Sequence, residues 1–470
     1  MHNASLKNRL PRLMKFAYAS GGLTDFFFLN VLLSLATQIY VTGMGMDIRL
    51  LGFALAIPKV LGALTDPFFG AGSDNASLRW GRRKPFIFVG GVAGAVMLPL
   101  LWCLPAGGDA LRFTYLAVMI SVFTVFYSMF SVPYGALGYE LTTDYDERTR
   151  VFAWKGYLTA CGALSVAWFY KFCTSSLFAD EVQGVRILSL LVGGVMLGGT
   201  LLTVLGCREE TLRAKQPAMP VWQALTLTLK SKPYLLLQAA TQTLALALAI
   251  TGPLGWLVFL YYVCQADKGL AAHITAYGGS IAFVTQIASN ALGVWLSTRL
   301  GKRKGGMVGF GLVILSIAIM PWALTPQFPW LNVVAWIISG LGMPLIALMI
   351  GSMTADVCDE DELRTGLRRE GAYSAVNSFF GKLMQILIVL VGGFLPWFAG
   401  YTDSAVVPSE NLLVRMKYLM IGVQFAGVLL ALAAFCLYPL TRAKAEAIRE
   451  ALERRRKERE SANEERDFDL

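Results

Sequence analysis

Five ionisable side chains interrupt long apolar stretches of the sequence: Asp25, Lys59, Asp66, Lys155 and Lys382. Their neighbours are mostly Leu, Phe, Ala, Val and Gly. A charge at bilayer depth costs on the order of a few kcal/mol or more unless it is paired or wetted, so such a group is read as functional. A carboxylate can accept hydroxyl hydrogen bonds or carry a proton, and an ammonium can hold an anion. Together these residues imply a polar cavity through which something charged or hydroxyl-rich moves. The lysines outnumber the acids, which points towards an anionic solute. Catalysis has no comparable support. The sequence holds two histidines, His2 and His273, and seven cysteines spaced singly, with no metal-ligand pattern and no nucleophile–base pair. Neither an enzyme nor a metal or cofactor is expected.

The elements that would position these groups follow from composition. The chain has 470 residues, 56% hydrophobic and 15% charged. Its mean hydropathy is +0.56. About 20 apolar residues cross the hydrocarbon core. That ruler gives twelve transmembrane helices near 13–41, 50–73, 85–106, 113–142, 150–177, 185–207, 234–263, 272–298, 307–325, 330–356, 371–401 and 413–440, an all-α membrane protein. Pro58, Pro133, Pro253 and Pro344 are expected kink sites. The first tail, the even-numbered loops and the last tail carry 31 of the 41 basic residues, and the odd-numbered loops carry six. By the positive-inside rule both termini are cytoplasmic, and the expected home is a bacterial plasma (inner) membrane. The net charge of +10 then reflects insertion and contact with the lipid bilayer, with no nucleic acid partner. The chain is expected to be a monomer.

The polar stretch 208–233 divides the sequence into an N-terminal six-helix bundle, 1–207, and a C-terminal one, 234–440. A charged helical tail, 441–470, follows. An amphipathic piece is expected at Val221–Leu229 of the connection. The halves echo each other. After span 2 comes Gly70…Asp74…Gly81-Arg82-Arg83-Lys84; after span 8 comes Arg299-Leu300-Gly301-Lys302-Arg303-Lys304-Gly305. After span 4 comes Glu140…Asp144-Tyr145-Asp146-Glu147-Arg148; after span 10 comes Asp356…Asp359-Glu360-Asp361-Glu362…Arg368-Arg369-Glu370-Gly371. Two parallel six-helix pseudo-repeats produce such a plan, with substrate at the midplane and one half rocking against the other. Asp74, Arg82, Arg83, Glu140, Arg148, Asp356, Arg368 and Arg369 are expected to form ion pairs of an inner gate. Gly70 and Gly72 are expected to allow close helix packing, and Asp74 is a candidate cap for a helix N-terminus.

Four stretches resemble a known family: Lys15-Phe16-Ala17-Tyr18…Asp25; Thr65-Asp66-Pro67-Phe68…Asp74…Gly81-Arg82-Arg83-Lys84-Pro85; Val132-Pro133-Tyr134-Gly135-Ala136-Leu137…Glu140; and Ala355-Asp356…Arg368-Arg369-Glu370-Gly371…Lys382. They are similar to the major facilitator superfamily, and within it to the glycoside–pentoside–hexuronide:cation symporters, the family of the melibiose permease. The resemblance implies secondary active transport of a sugar or glycoside, with an anionic one such as a hexuronide in range, by alternating access. It gives Asp25 the role of accepting sugar hydroxyls. Asp66 would hold the coupling cation or proton, and Lys382 would neutralise the acidic site. Lys155 stands near a basic residue of span 5. Two family acids are missing: Gly62 stands for the first acid of span 2 and Ser131 for the acid of span 4. Gly135 replaces an aromatic.

The substrate site is therefore expected at Asp25, Ser131, Lys155, Lys382 and Tyr134, and the coupling site at Asp66, Asp25 and Thr65. The coupling ion is H+ or Na+. A hard Na+ site wants several oxygen ligands with net negative charge; one carboxylate with the Thr24, Thr65 and Ser131 hydroxyls is a thin set. Lys155, near its helix start, could snorkel to the surface. Tyr18, Tyr134, Trp154, Trp256 and Tyr373 are candidates to stack on a sugar ring. Two other readings remain: a lysolipid transporter of the same fold, opening laterally between spans 5 and 8, and a non-transporting membrane receptor or scaffold.

Overall fold

The computed structural model describes residues 10–76, 80–142, 145–209, 231–365, 370–401, 407–440 and, in the tail, 442, 444–448, 450–452 and 454–455. The stretch Val221–Leu229 and the residues Arg368 and Arg369 lie outside these, as does the side chain of Arg148.

Regular structure among the described residues is helical throughout. In the first half α1 spans Arg12–Ala36 and continues through a π-helical turn, Thr37–Val41; α2 is Ile48–Asn75, α3 Lys84–Leu100, α4 Asp109–Glu140, α5 Tyr145–Cys173 and α6 Glu181–Gly206. In the second half come α7 Lys232–Ala249 and α8 Gly252–Leu257, the latter followed by a π-helical turn at Val258–Val263. Then follow α9 Lys268–Leu300, α10 Lys302–Ala318, α11 Met320–Ala323, α12 Leu331–Thr365, α13 Glu370–Ala399 and α14 Glu410–Cys436. Joining α7 to α8 and α10 to α11 gives the twelve rods expected. Ten are long and apolar enough to cross a membrane by length and composition. Of the other two, α3 is an apolar helix of 17 residues and α5 has 29, with a charged first turn.

Local signals account for the ends. Asp47 caps α2 by accepting the Arg49 N–H at 2.8 Å, and Asp180 caps α6 through the Gln183 N–H at 2.6 Å. The expected prolines behave differently from one another. Pro58, Pro133 and Pro344 lie inside helices that run through them, whereas Pro253 stands in the first turn of α8, just past a break at Ile250–Thr251. A proline has no N–H to lose at a helix start, so the restart is where it fits best.

The chain forms two compact units: Met1–Ala214 with Gly252–Ser280 and Ile386–Lys417, and Lys215–Thr251 with Ile281–Gln385 and Tyr418–Leu470. The cut differs from the break in sequence at 208–233, because α8 and parts of α9, α13 and α14 pack into the first unit. In that unit small residues bring backbones together, as they must where lipid removes the hydrophobic drive between helices. A Cβ on Gly199 of α6 would stand 2.6 Å from the Ser20 carbonyl oxygen of α1. Thr203 of α6 donates to the Ala17 carbonyl at 2.9 Å. In the second unit Phe310, Val313, Ile346 and Phe435 form a buried core across α10, α12 and α14.

Candidate substrate site and its gates

Asp25 lies midway along α1, half-buried, where α4 and α5 converge on it. Ser131 of α4 donates to Asp25 Oδ1 at 2.7 Å. Lys155 of α5 places Nζ 3.4 Å from Oδ2 and 4.8 Å from the centroid of the Tyr134 ring. The first unit thus brings together Asp25, Ser131 and Lys155. Glycines make room for them: a Cβ on Gly22 would meet Lys155 Cγ at 2.5 Å, and one on Gly21 a Tyr134 ring carbon at 2.6 Å. Lys155 lies ten residues into α5, about 15 Å of helix, deeper than expected. Its ammonium turns to the carboxylate instead of snorkelling.

Tyr134 differs from the expectation. It is fully buried, its hydroxyl donates to the Tyr18 carbonyl at 2.8 Å, and its ring stacks on Tyr18 with centroids 4.7 Å apart. It supports Lys155 from beneath and has no free face for a sugar ring. Tyr18, Trp256 and Tyr373 are likewise buried, which removes them as stacking platforms. An aromatic's exposure depends on its neighbours, which residue type alone does not reveal.

Tyr127, one turn before Ser131 on α4, is the residue that sequence reasoning missed. Its hydroxyl oxygen lies 3.3 Å from Ser131 Oγ. Ser131 in turn donates to Asp25. Tyr127 therefore extends the hydroxyl chain that ends on the Asp25 carboxylate. The helical (i, i+4) spacing from Ser131 is the signal that could have found it.

Asp66 is half-buried on α2. The neighbouring hydroxyls are already committed. Thr65 Oγ1 is 3.0 Å from Ser128 Oγ and 3.3 Å from the Gly62 carbonyl oxygen. Thr24 is buried and donates to the Met196 carbonyl at 3.1 Å, so it ties α1 to α6 instead of facing an ion. Lys382 belongs to the second unit, on α13, with its side chain exposed.

The basic ends of the helices carry the expected pairs, with changed partners. Arg83 Nη2 reaches Asp74 Oδ1 and Glu140 Oε1, each at 2.9 Å, and Arg82 also pairs with Glu140. Glu209, beyond α6, accepts the N–H groups of Arg82, Arg83 and Lys84 at 2.8, 3.0 and 2.8 Å. It therefore caps α3, where Asp74 had been the candidate. Gly81 makes this possible: its φ is +108° and a Cβ would lie 2.5 Å from Glu209 Oε2. Gly70 and Gly72 show only ordinary contacts, 3.5 Å and beyond, so they are not close-packing positions. In the second unit Asp356 pairs through both oxygens with Lys302, at 2.8 and 2.6 Å. Glu147 of α5 holds Lys15 of α1 and accepts the Leu10 N–H at 3.0 Å. Burial opposes ionisation of Glu147, but the Lys15 hydrogen bond and charge, with Leu10 and Arg150, hold its carboxyl below the ordinary value.

At the opposite helix ends the first unit carries a second set of polar contacts. Lys268 of α9 bonds Glu181 of α6 at 2.5 Å and the Thr42 carbonyl at 3.3 Å. Lys171 of α5 bonds the Tyr277 hydroxyl of α9 at 3.1 Å, Trp168 Nε1 donates to Ser280 at 3.0 Å, and a Cβ on Gly279 would be 3.1 Å from Ala167. Spans 5 and 8 are closed against each other along this stretch.

The helix order and the charged clusters at the helix ends are those of the major facilitator fold, and solved structures agree. The nucleoside transporter NupG (D323A mutant) is similar with a TM-score of 0.65 at 14% identity, covering 91% of this chain and 100% of that one. The profile of the family described as MFS/sugar transport protein matches residues 17–442; the chain belongs to that family. Two Escherichia coli (strain K12) relatives are similar over nearly their whole length. YagG, named as a glycoside/cation symporter, is 25% identical over 441 residues, 92% of this chain and 93% of its own. The glucuronide carrier protein homolog is 24% identical over 449 residues, 94% and 93%. The chain is a transporter and not an enzyme.

Proposed function

We propose that this protein carries a glycoside, best an acidic one such as a hexuronide, across a bacterial plasma membrane together with a proton. The observation that carries the reading is the Asp25–Ser131–Lys155 cluster. A carboxylate accepts sugar hydroxyls, and an ammonium 3.4 Å away can exchange that partner for a substrate carboxylate. Tyr134 keeps the ammonium in place. Lys382, on α13 of the second unit, is the contribution proposed for the C-terminal half. The names of the two relatives support a glycoside and, in one case, a glucuronide.

Asp66 and Asp25 are the proposed proton carriers. A sodium site is disfavoured because one carboxylate with a few neutral hydroxyls is a thin oxygen set for a hard cation. The basic bias places both termini in the cytoplasm. The latch around Glu140 and Glu147 is then the inner gate of the first unit, and the Glu181–Lys268 contact belongs to the outer seal. The lysolipid reading needs a lateral opening between spans 5 and 8, and the Lys171–Tyr277 and Trp168–Ser280 bonds occupy that seam.

The test is counterflow in proteoliposomes with labelled neutral and uronic glycosides, with and without a pH gradient or sodium. Exchange of the uronic compound, driven by an inward proton gradient and indifferent to sodium, is expected. Exchange of neither compound removes the sugar reading, and sodium dependence removes the proton.

A further inference from the structure

One cavity in the second unit plays no part in the transport site. It has a volume of about 370 Å³ and lies where the basic end of α9 turns into α10, beside the ends of α12 and α14. Its walls carry four cations, Lys302, Arg303, Lys304 and Arg442, against two carboxylates, Asp356 and Glu446. Both carboxylates are engaged: Asp356 with Lys302 at 2.6 Å and Glu446 with Arg442 at 2.8 Å. Two positive charges are left over, on Arg303 and Lys304. Arg303 Nη2 donates to the Cys436 carbonyl, but its Nε is buried and has no hydrogen-bond partner among the described residues. Lys304 is exposed and pairs with no described carboxylate. The surplus of positive charge at the cavity wall therefore lies with the two side chains, Arg303 and Lys304, that no described carboxylate neutralises. The remaining walls are apolar, with Leu300, Met353 and Leu440 at the ends of membrane-spanning helices. This places the surplus charge at headgroup level with greasy surface next to it.

We propose that this pocket binds a phosphate-bearing anion, supplied at the membrane surface as the headgroup of an anionic phospholipid. A tetrahedral phosphate offers enough acceptor oxygens to meet the Lys304 ammonium and the outer N–H groups of Arg442 together, with the Arg303 charge close by. A glycerol and its chains would run along Leu300 and Leu440. Basic pockets between membrane helices on the positively charged side are suited to such headgroups. Free inorganic phosphate has the same chemistry and is the competing source.

The experiment uses the full chain in nanodiscs of phosphatidylcholine, with and without phosphatidylglycerol. Thermal unfolding is followed, and retained phosphatidylglycerol is titrated by native mass spectrometry. Phosphatidylglycerol is expected to raise the unfolding temperature of the unaltered protein and of a charge control, Arg208→Ala/Arg454→Ala. The double variant Lys304→Ala/Arg442→Ala should lose most of that rise and bind the lipid about 25-fold more weakly, at roughly fivefold for each lost cation. It should unfold normally in phosphatidylcholine alone, since both side chains are at the surface. An equal rise in the double variant, an equal loss in the control, or no rise in any protein overturns the site. A rise produced by inorganic phosphate in pure phosphatidylcholine, with none from phosphatidylglycerol, overturns the lipid as the source.

Discussion

Lys155 holds its ammonium 3.4 Å from the Asp25 carboxylate, linking the middle of α5 to the middle of α1. The contact is longer than a tight ion pair, and both side chains keep some exposure, 25% and 19%. Such a pair can part when a better-fitting partner arrives.

Lys155→Ala should therefore abolish most transport of an acidic glycoside. A charge-assisted hydrogen bond is worth about 1.5–3 kcal/mol, or roughly tenfold to a hundredfold in apparent affinity. Asp25→Asn should weaken uronic and neutral glycosides alike, whereas Lys155→Ala should spare the neutral ones more. Measuring both substrates in counterflow separates these patterns, and an equal loss in both variants would refute the division of roles.

Tyr127→Phe removes one hydroxyl and keeps the ring. The expected loss is that of one neutral hydrogen bond, about 0.5–1.5 kcal/mol, or roughly twofold to tenfold in affinity. Because the hydroxyl is 3.3 Å from Ser131, the donor to Asp25, the pH dependence of uptake should shift as well. Unchanged affinity and an unchanged pH profile would show Tyr127 to be packing alone.

Gly81→Ala places a Cβ in a left-handed conformation and against Glu209. Backbone strain of this kind costs about 1–3 kcal/mol. A lower unfolding temperature in detergent is expected, together with greater protease access to the loop before α3. Glu209→Gln, which keeps an acceptor without the charge, should fall between Gly81→Ala and the unaltered protein. No change in either variant would mean that the cap carries no stability.

The Glu147 latch predicts a pH dependence with a definite sign. Its carboxyl is held below the ordinary value by Lys15, Leu10 and Arg150. Stability from it is therefore present above the unfolded glutamate value, about 4.3, and fades as pH falls through the lower folded value. Glu147→Gln should unfold at a lower temperature than the unaltered protein at pH 7, and the gap should close on acidification below about pH 4. A gap that persists at low pH would assign the effect to packing.

Apolar length and basic bias were enough to count twelve helices and to find the acids and lysines inside them, because bilayer thickness and the cost of buried charge act on composition alone. Spacing also flagged Glu140 and Asp356 at matching helix ends. Their partners were decided by folding. Asp356 took Lys302 of α10, and Glu209, far along the chain, reached back to cap α3 over a glycine with positive φ. Likewise Tyr134, read as a sugar platform, became a buried support for Lys155, while Tyr127 came to stand beside Ser131, the donor to Asp25. A sequence states which charges need a partner; which side chain answers depends on helices from distant segments meeting at a few ångströms, and only the tertiary structure sets those distances.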